Sequence, residues 1–269
     1  MQAGFLELTR IPPLTDPTTW LLGVPFASSL LAILIAHELG HFLMCRHYGI
    51  AASYPHLLPA PPPILFGPFG VPFGTFGAVI RIKSPFGNPR QIFDVGIAGP
   101  IAGFLVLVPC LLYGLSQSKI FEEAIPAGSI EYGEPLLFQL LSHLFFPGPD
   151  PQIHLHPVGW AAWFGMLATS LNLLPVGQLD GGHIVYALFG PRAHRRVSLA
   201  GLFSLALISA GSLPLPGYLV FGILLLVIGL RHPQPMANGE PLGFARWLLA
   251  LFSLLILVLT FILVPVRMS

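Results

Sequence analysis

The chain has 269 residues, of which 54% are hydrophobic and only 9% charged, with a mean hydropathy of +0.79. A soluble domain carries roughly 25% charged residues, so this composition excludes an ordinary water-soluble fold and points to an integral membrane protein. Twelve Lys and Arg against eleven Asp and Glu leave a net charge of +1, which offers no footing for nucleic acid or an acidic partner.

Residues 1–19 show neither the basic leader and cleavage site of a secretory signal nor the character of a transit peptide. The first apolar stretch, 20–44, therefore reads as a retained helix, a bilayer crossing needing about 20 apolar residues. It carries no charge up to Ile35, and then Ala36-His37-Glu38-Leu39-Gly40-His41-Phe42 follows. A carboxylate or imidazolium in hydrocarbon costs several kcal/mol unless paired, neutral or metal-bound. On a helix, His-Glu-x-x-His stacks two imidazoles at i and i+4, with Cβ atoms roughly 5–6 Å apart, where they can share a tetrahedral Zn²⁺. Glu38 between them is placed to take a proton from a water that the metal has brought towards a pKa of about 7, and to hand it to a leaving amine. The plainer alternative, histidines hydrogen-bonding across a helix bundle, gives three ionisable groups in hydrocarbon no purpose. His47, beside Arg46, reads as an interfacial residue, and Cys45 and Cys110, both in apolar runs, as small hydrophobes.

Next comes a segment too rich in Pro and Gly for a helix, 59–74, followed by the partly alternating run 75–83 with β-branched Val79, Ile80 and Ile82. It predicts a small membrane-associated β-hairpin. An exposed edge near the metal would let an unwound substrate segment add as a further strand. The second span covers 95–115, with Asp94 expected to cap it. The loop 116–156 is acidic, and 135–147 reads as an amphipathic element lying on the outer surface. Its histidines 143, 154 and 156 lack the spacing of a helical metal pair.

The third span, 157 to about 174, ends in Leu-Asn-Leu-Leu-Pro-Val-Gly-Gln-Leu-Asp-Gly-Gly-His, 171–183. Pro175 and Gly177 break the helix, and broken backbone at membrane depth is tolerated where it lines a cavity or is buried in protein. Asp180 follows, with Gly181-Gly182 permitting a turn aimed back at the histidines. A catalytic zinc takes three protein ligands and keeps one open position. Asp180 is the candidate third ligand, and His183 its rival as a direct ligand or as a group behind one.

The runs 199–213 and 218–230, joined by Pro214-Leu215-Pro216-Gly217, are two short spans or one re-entrant helical hairpin. A last span covers 247–264. The expected fold is thus one membrane-embedded domain over 1–269, an all-α polytopic membrane protein. It has about six transmembrane segments, or four plus the re-entrant hairpin, with the β-hairpin between the first two. An external amino terminus leaves nine of the twelve basic residues on the cytoplasmic side, all but Arg10, Lys119 and Arg267, as the distribution of Lys and Arg in membrane proteins favours.

The His37-Glu38-Leu39-Gly40-His41 motif in one span, with Asn172-x-x-Pro175-x-x-x-x-Asp180-Gly181 in a later one, resembles the site-2 protease family, peptidase family M50, the intramembrane zinc metalloproteases. The similarity runs from about 36 to 182 and takes in 94–104, which is similar to the Gly-rich helix that follows the active-site span in that family. The resemblance implies Zn²⁺ held by His37, His41 and Asp180, which it favours over His183, Glu38 as general base, and Asn172 bonding substrate or the developing oxyanion. It implies an endopeptidase cutting single-span membrane proteins in or near their transmembrane segments, as in regulated intramembrane proteolysis. The 116–156 loop is too short for a PDZ module and the chain ends soon after its last span. A minimal member without PDZ or CBS domains is therefore expected, in a prokaryotic inner membrane with its site towards the cytoplasm. An alternative is an ion-coupled transporter or channel using Glu38 and Asp180, but no inverted repeat is visible and a second imidazole at i+4 serves no purpose there. Neither Gly-x-Gly-Asp nor Gly-x-Ser-x-Gly, the marks of aspartyl and serine mechanisms, occurs.

Overall fold

The structure, a computed structural model, describes residues 18–59, 75–120, 130–148, 152–210, 217–230, 232, 235–237 and 241–268. Seven helices carry the fold among these residues: α1 (Thr18–His47), α2 (Pro89–Ser116), α3 (Leu136–Phe145), α4 (Pro157–Leu173), α5 (Asp180–Ala210), α6 (Gly217–Ile228) and α7 (Phe244–Thr260). Two of them are long and apolar enough to cross a bilayer, over Gly23–His47 and Pro89–Ser116, and α3 and α7 are shorter apolar helices.

Local chemistry explains where the helices start. The Asn88 side chain accepts the Gln91 N–H at 3.1 Å, and Pro89 occupies the first position, where a missing N–H costs nothing. Helix α2 therefore begins at Pro89 rather than Val95, and Asp94 lies inside it instead of capping it. His156 caps α4, its side chain accepting the Val158 N–H at 3.3 Å. Helix α5 is two helical segments meeting at Gly190, whose φ of 78° suits glycine, with Pro191 opening the second.

Strands β1 (His56–Pro59) and β2 (Thr75–Val79) pair antiparallel, and the ladder resumes past Ile80 with Ser53 N–H to Arg81 O at 2.9 Å and Lys83 N–H to Ala51 O at 2.7 Å. The expected hairpin connection, most of 59–74, lies outside the described residues. Two further short antiparallel pairs join β3 (Lys119–Ile120) to β5 (Ile153–His154) and β4 (Ile130–Tyr132) to β6 (Val266–Met268).

Helix α2 is the hub, packed against α1, α3, α4, α5 and α7. The largest core cluster joins Leu30 and Ile33 of α1, Leu107, Leu111 and Leu115 of α2, and Trp160, Trp163 and Met166 of α4. Where α2 and α4 cross, a Cβ on Gly114 would overlap the Gly159 backbone, so small residues set how closely these helices approach. Outward, Leu105, Phe203, Leu207, Val227, Leu251 and Leu254 are exposed. Such an apolar exterior suits hydrocarbon better than water.

Candidate metal centre

His37, Glu38 and His41 are buried, at 6%, 8% and 7% exposure, near the carboxyl-terminal end of α1. Asp180, far away in the chain, opens α5 directly opposite. Its Oδ2 lies 3.1 Å from His37 Nε2, its Oδ1 lies 3.3 Å from His41 Nε2, and the two Nε2 atoms are 3.1 Å apart. Atoms held at 2.0–2.1 Å by a tetrahedral ion stand roughly 3.3 Å from one another, so these spacings are close to those of three ligand groups around one zinc ion. The donor set, two neutral imidazoles and a carboxylate, also suits zinc.

The ring of His41 is fixed from behind. Its Nδ1–H donates to Val95 O at 2.7 Å. A carbonyl can only accept, so the proton sits on Nδ1 and Nε2 is left with its lone pair towards Asp180. Asn172 on α4 approaches from the side, its Nδ2 3.4 Å from His37 Nε2. Ile80, just past β2, borders the same cavity as Glu38. This cavity, of about 420 Å³, opens onto the group, bounded by Ala78, Val79 and Ile80 on one side and by Thr169, Asn172 and Phe221 on the others.

The Gly-rich run of α2 makes room for the imidazoles. Gly96, Gly99 and Gly103 fall on one face of the helix. A Cβ at Gly99 would overlap the His41 ring, one at Gly103 would stand 3.2 Å from the His37 Cβ, and one at Gly96 would stand 2.7 Å from the His183 Cβ. On α1, Gly40 reciprocates by meeting the Ala98 carbonyl.

Asp180 is presented by the turn 174–179. The doublet Gly181-Gly182, expected to form that turn, instead begins α5. These two glycines are small because Gly181 abuts the Leu173 carbonyl and Gly182 the Gly177 carbonyl. Gly177 itself takes the turn, with φ 56°. Both of its backbone groups are held by the second segment of α5: the Gly177 N–H donates to Ser198 Oγ at 3.1 Å, and His194 Nε2–H donates to the Gly177 carbonyl at 2.8 Å. Sequence reasoning missed His194 and Ser198, although two polar residues at i and i+4 in a helix with an apolar continuation are a readable signal. His183, the rival ligand, borders the same cavity, and its Nδ1 lies 2.5 Å from His232 Nε2 rather than in the triangle with His37 and His41.

The model of peptidase family M50 matches residues 25–210. The chain is similar to the protein described as probable zinc metalloprotease EGY1, chloroplastic, of Arabidopsis thaliana, with 28% identity over 250 residues, 90% of this chain and 43% of that protein. Its counterpart in Oryza sativa subsp. japonica is 30% identical over 251 residues, 89% of this chain and 40% of that one. Probable zinc metalloprotease EGY2, chloroplastic, of Arabidopsis thaliana is 30% identical over 196 residues, 69% of this chain and 32% of that one. The chain thus spans about two fifths or less of the length of these relatives. The family match encloses both halves of the site, the His37–His41 motif and the Asp180 turn, and the chain belongs to peptidase family M50, the site-2 protease family.

Proposed function

We propose that this chain is a zinc endopeptidase that hydrolyses peptide bonds in or near the transmembrane segments of single-span membrane proteins. The observation that carries it is the convergence of the Asp180 carboxylate, at 3.1 and 3.3 Å, on the two imidazoles of a His-Glu-x-x-His helix. His37, His41 and Asp180 would hold the metal. When bound there, zinc supplies Lewis acidity, polarising a carbonyl and bringing the pKa of a water to about 7.

The remaining steps fall to the protein's own groups. Glu38 borders the cavity beside both imidazoles, where it accepts the proton of the attacking water and delivers it to the leaving nitrogen. The Asn172 amide offers N–H donors to the oxygen that gains charge as the carbonyl is attacked. Among the described residues β2 is paired with β1 alone, and Ala78 to Ile80 face the cavity. An extended substrate segment can add to that open edge and satisfy its backbone there, which a helical substrate needs before its carbonyls are reachable.

In this scheme α1, α2, α4, the second segment of α5, α6 and α7 supply the six membrane segments. The site faces the side rich in arginine, and the amino terminus lies on the other. The relatives are described as chloroplastic. The test is co-expression with a panel of tagged single-span proteins. Wild type cleaves at least one of them and Glu38→Gln, which keeps the shape of the side chain but not the base, cleaves none; equal cleavage by both overturns the proposal.

A further inference from the structure

A second cavity, of about 850 Å³, lies beside the metal centre and has no part in the reaction above. It sits where the second segment of α5 begins, between that segment and the end of α6. Its polar lining comprises Arg195, His194, His232, Tyr186 and Gln178, and among the described residues no carboxylate borders it. Among the described residues, Arg195 and its neighbours Arg192 and Arg196 are exposed and form no ion pair. The cavity is therefore a cationic recess.

The remaining lining is apolar, with the side chains of Leu199, Leu226 and Leu230 prominent in it. From Leu199 the apolar surface runs out of the cavity along α5 through Phe203 and Leu207, exposed by 51%, 66% and 58%. These stand at i, i+4 and i+8, one stripe of the helix, about 12 Å long. Helix α6 adds a second exposed stripe beside it, Leu219, Ile223 and Leu226, and the two helices are packed together. A basic recess flanked by exposed apolar stripes on two packed helices complements a ligand with an anionic head and apolar tails.

We infer that this cavity binds the headgroup of an anionic phospholipid, with the Arg195 guanidinium on the phosphate and acyl chains along the α5 and α6 stripes. The guanidinium fork matches phosphate oxygens in pairs, and basic pockets between membrane helices are known headgroup sites in general. The inference rests on the membrane placement proposed above. The occupant would touch the metal-site turn, because Gln178 borders both cavities and His194 holds the Gly177 carbonyl.

The test uses the full chain in nanodiscs of equal phosphatidylcholine and phosphatidylglycerol, followed by release into detergent and native mass spectrometry of the lipids that remain bound. Phosphatidylglycerol is retained over phosphatidylcholine. Retention falls about fivefold in Arg195→Gln, the loss of one basic contact near a headgroup, but holds in Arg192→Gln, whose side chain does not line the cavity. Arg195→Lys, which keeps the charge without the fork, falls in between, and circular dichroism shows each variant folded. Equal retention by wild type and Arg195→Gln overturns the inference. Equal loss from Arg192→Gln does so too, by reducing the effect to general surface charge. Displacement of the lipid by inorganic phosphate alone would make the recess a free-anion site and also overturn it. A chain that stays dispersed without lipid and enters no nanodisc would defeat the membrane placement itself, a failure distinct from selective loss at Arg195.

Discussion

His41 has both ring nitrogens committed, Nδ1 to the Val95 carbonyl and Nε2 to the meeting point with His37 and Asp180. Such a ring cannot turn aside to let another residue take over its role, so the proposed zinc site would depend on each of its three proposed donors. Replacing Asp180 by Ala is expected to lower zinc affinity by more than about a hundredfold, the upper end of what losing even an outer partner of a ligand costs. Metal analysis of the purified protein and competition with a chelator measure this. His183→Ala is the matching control: its Nδ1 is paired with His232, so it leaves zinc near one equivalent per chain. The reverse pattern would make His183 the third ligand.

At the scale of elements, the centre is assembled by close helix contact, and glycines on α2 set the spacing. Gly99→Ala puts a methyl where the His41 ring lies, and the ring is anchored by Val95. Loss of bound zinc and of activity is expected together with a lowered unfolding temperature. Gly23→Ala on α1, where nothing lies within 4 Å of the added carbon, leaves all three unchanged or gains slightly from helix propensity, about 1 kcal/mol at most. The turn before Asp180 makes a similar demand on α5. His194→Ala frees the Gly177 carbonyl and is expected to weaken zinc binding roughly 10- to 100-fold. His194→Gln, which can still donate to that carbonyl, restores part of the affinity, which a merely space-filling role for His194 would not produce.

The sequence made the His-Glu-x-x-His half of the site legible because i, i+4 spacing on one helix is local geometry. Asp180 was legible because a carboxylate beside a broken apolar helix is costly without a purpose. The start of α2 was misplaced because apolarity begins at Val95, whereas the Asn88 cap and Pro89 start the helix earlier. His194 and Ser198 went unnoticed because they lie between the Asp180 motif and the apolar run from Leu199, where only the arginines were weighed, for sidedness. What they hold lies in the turn before Asp180, a contact that packing creates and no local pattern encodes.

Across the whole molecule, one ion pair ties the last helix to the first two. Arg246 at the start of α7 donates to both Asp94 oxygens, at 2.8 and 2.6 Å, and the Tyr48 hydroxyl, just past α1, donates to Asp94 as well. Asp94 precedes Val95, whose carbonyl fixes His41, so this knot holds α1, α2 and α7 together one residue from the group that orients that ring. The Asp94 side chain is only 13% exposed and that of Arg246 27%, too enclosed for a fully solvated pair. Removing one partner therefore strands a charge, a loss that for a fully buried pair reaches about 3–5 kcal/mol and is smaller here because water still reaches the guanidinium. Arg246→Leu is expected to lower the unfolding temperature in detergent clearly. The double variant Asp94→Leu with Arg246→Leu should recover much of that loss, since no unpaired carboxylate remains and only the Tyr48 hydroxyl must find another partner. If instead the single variant unfolds like wild type, the pair contributes no more than a surface contact, and α7 is held by its apolar face alone. If the double variant is as unstable as the single one, it is the Tyr48 bond to Asp94, rather than the charge pair, that fastens the helices.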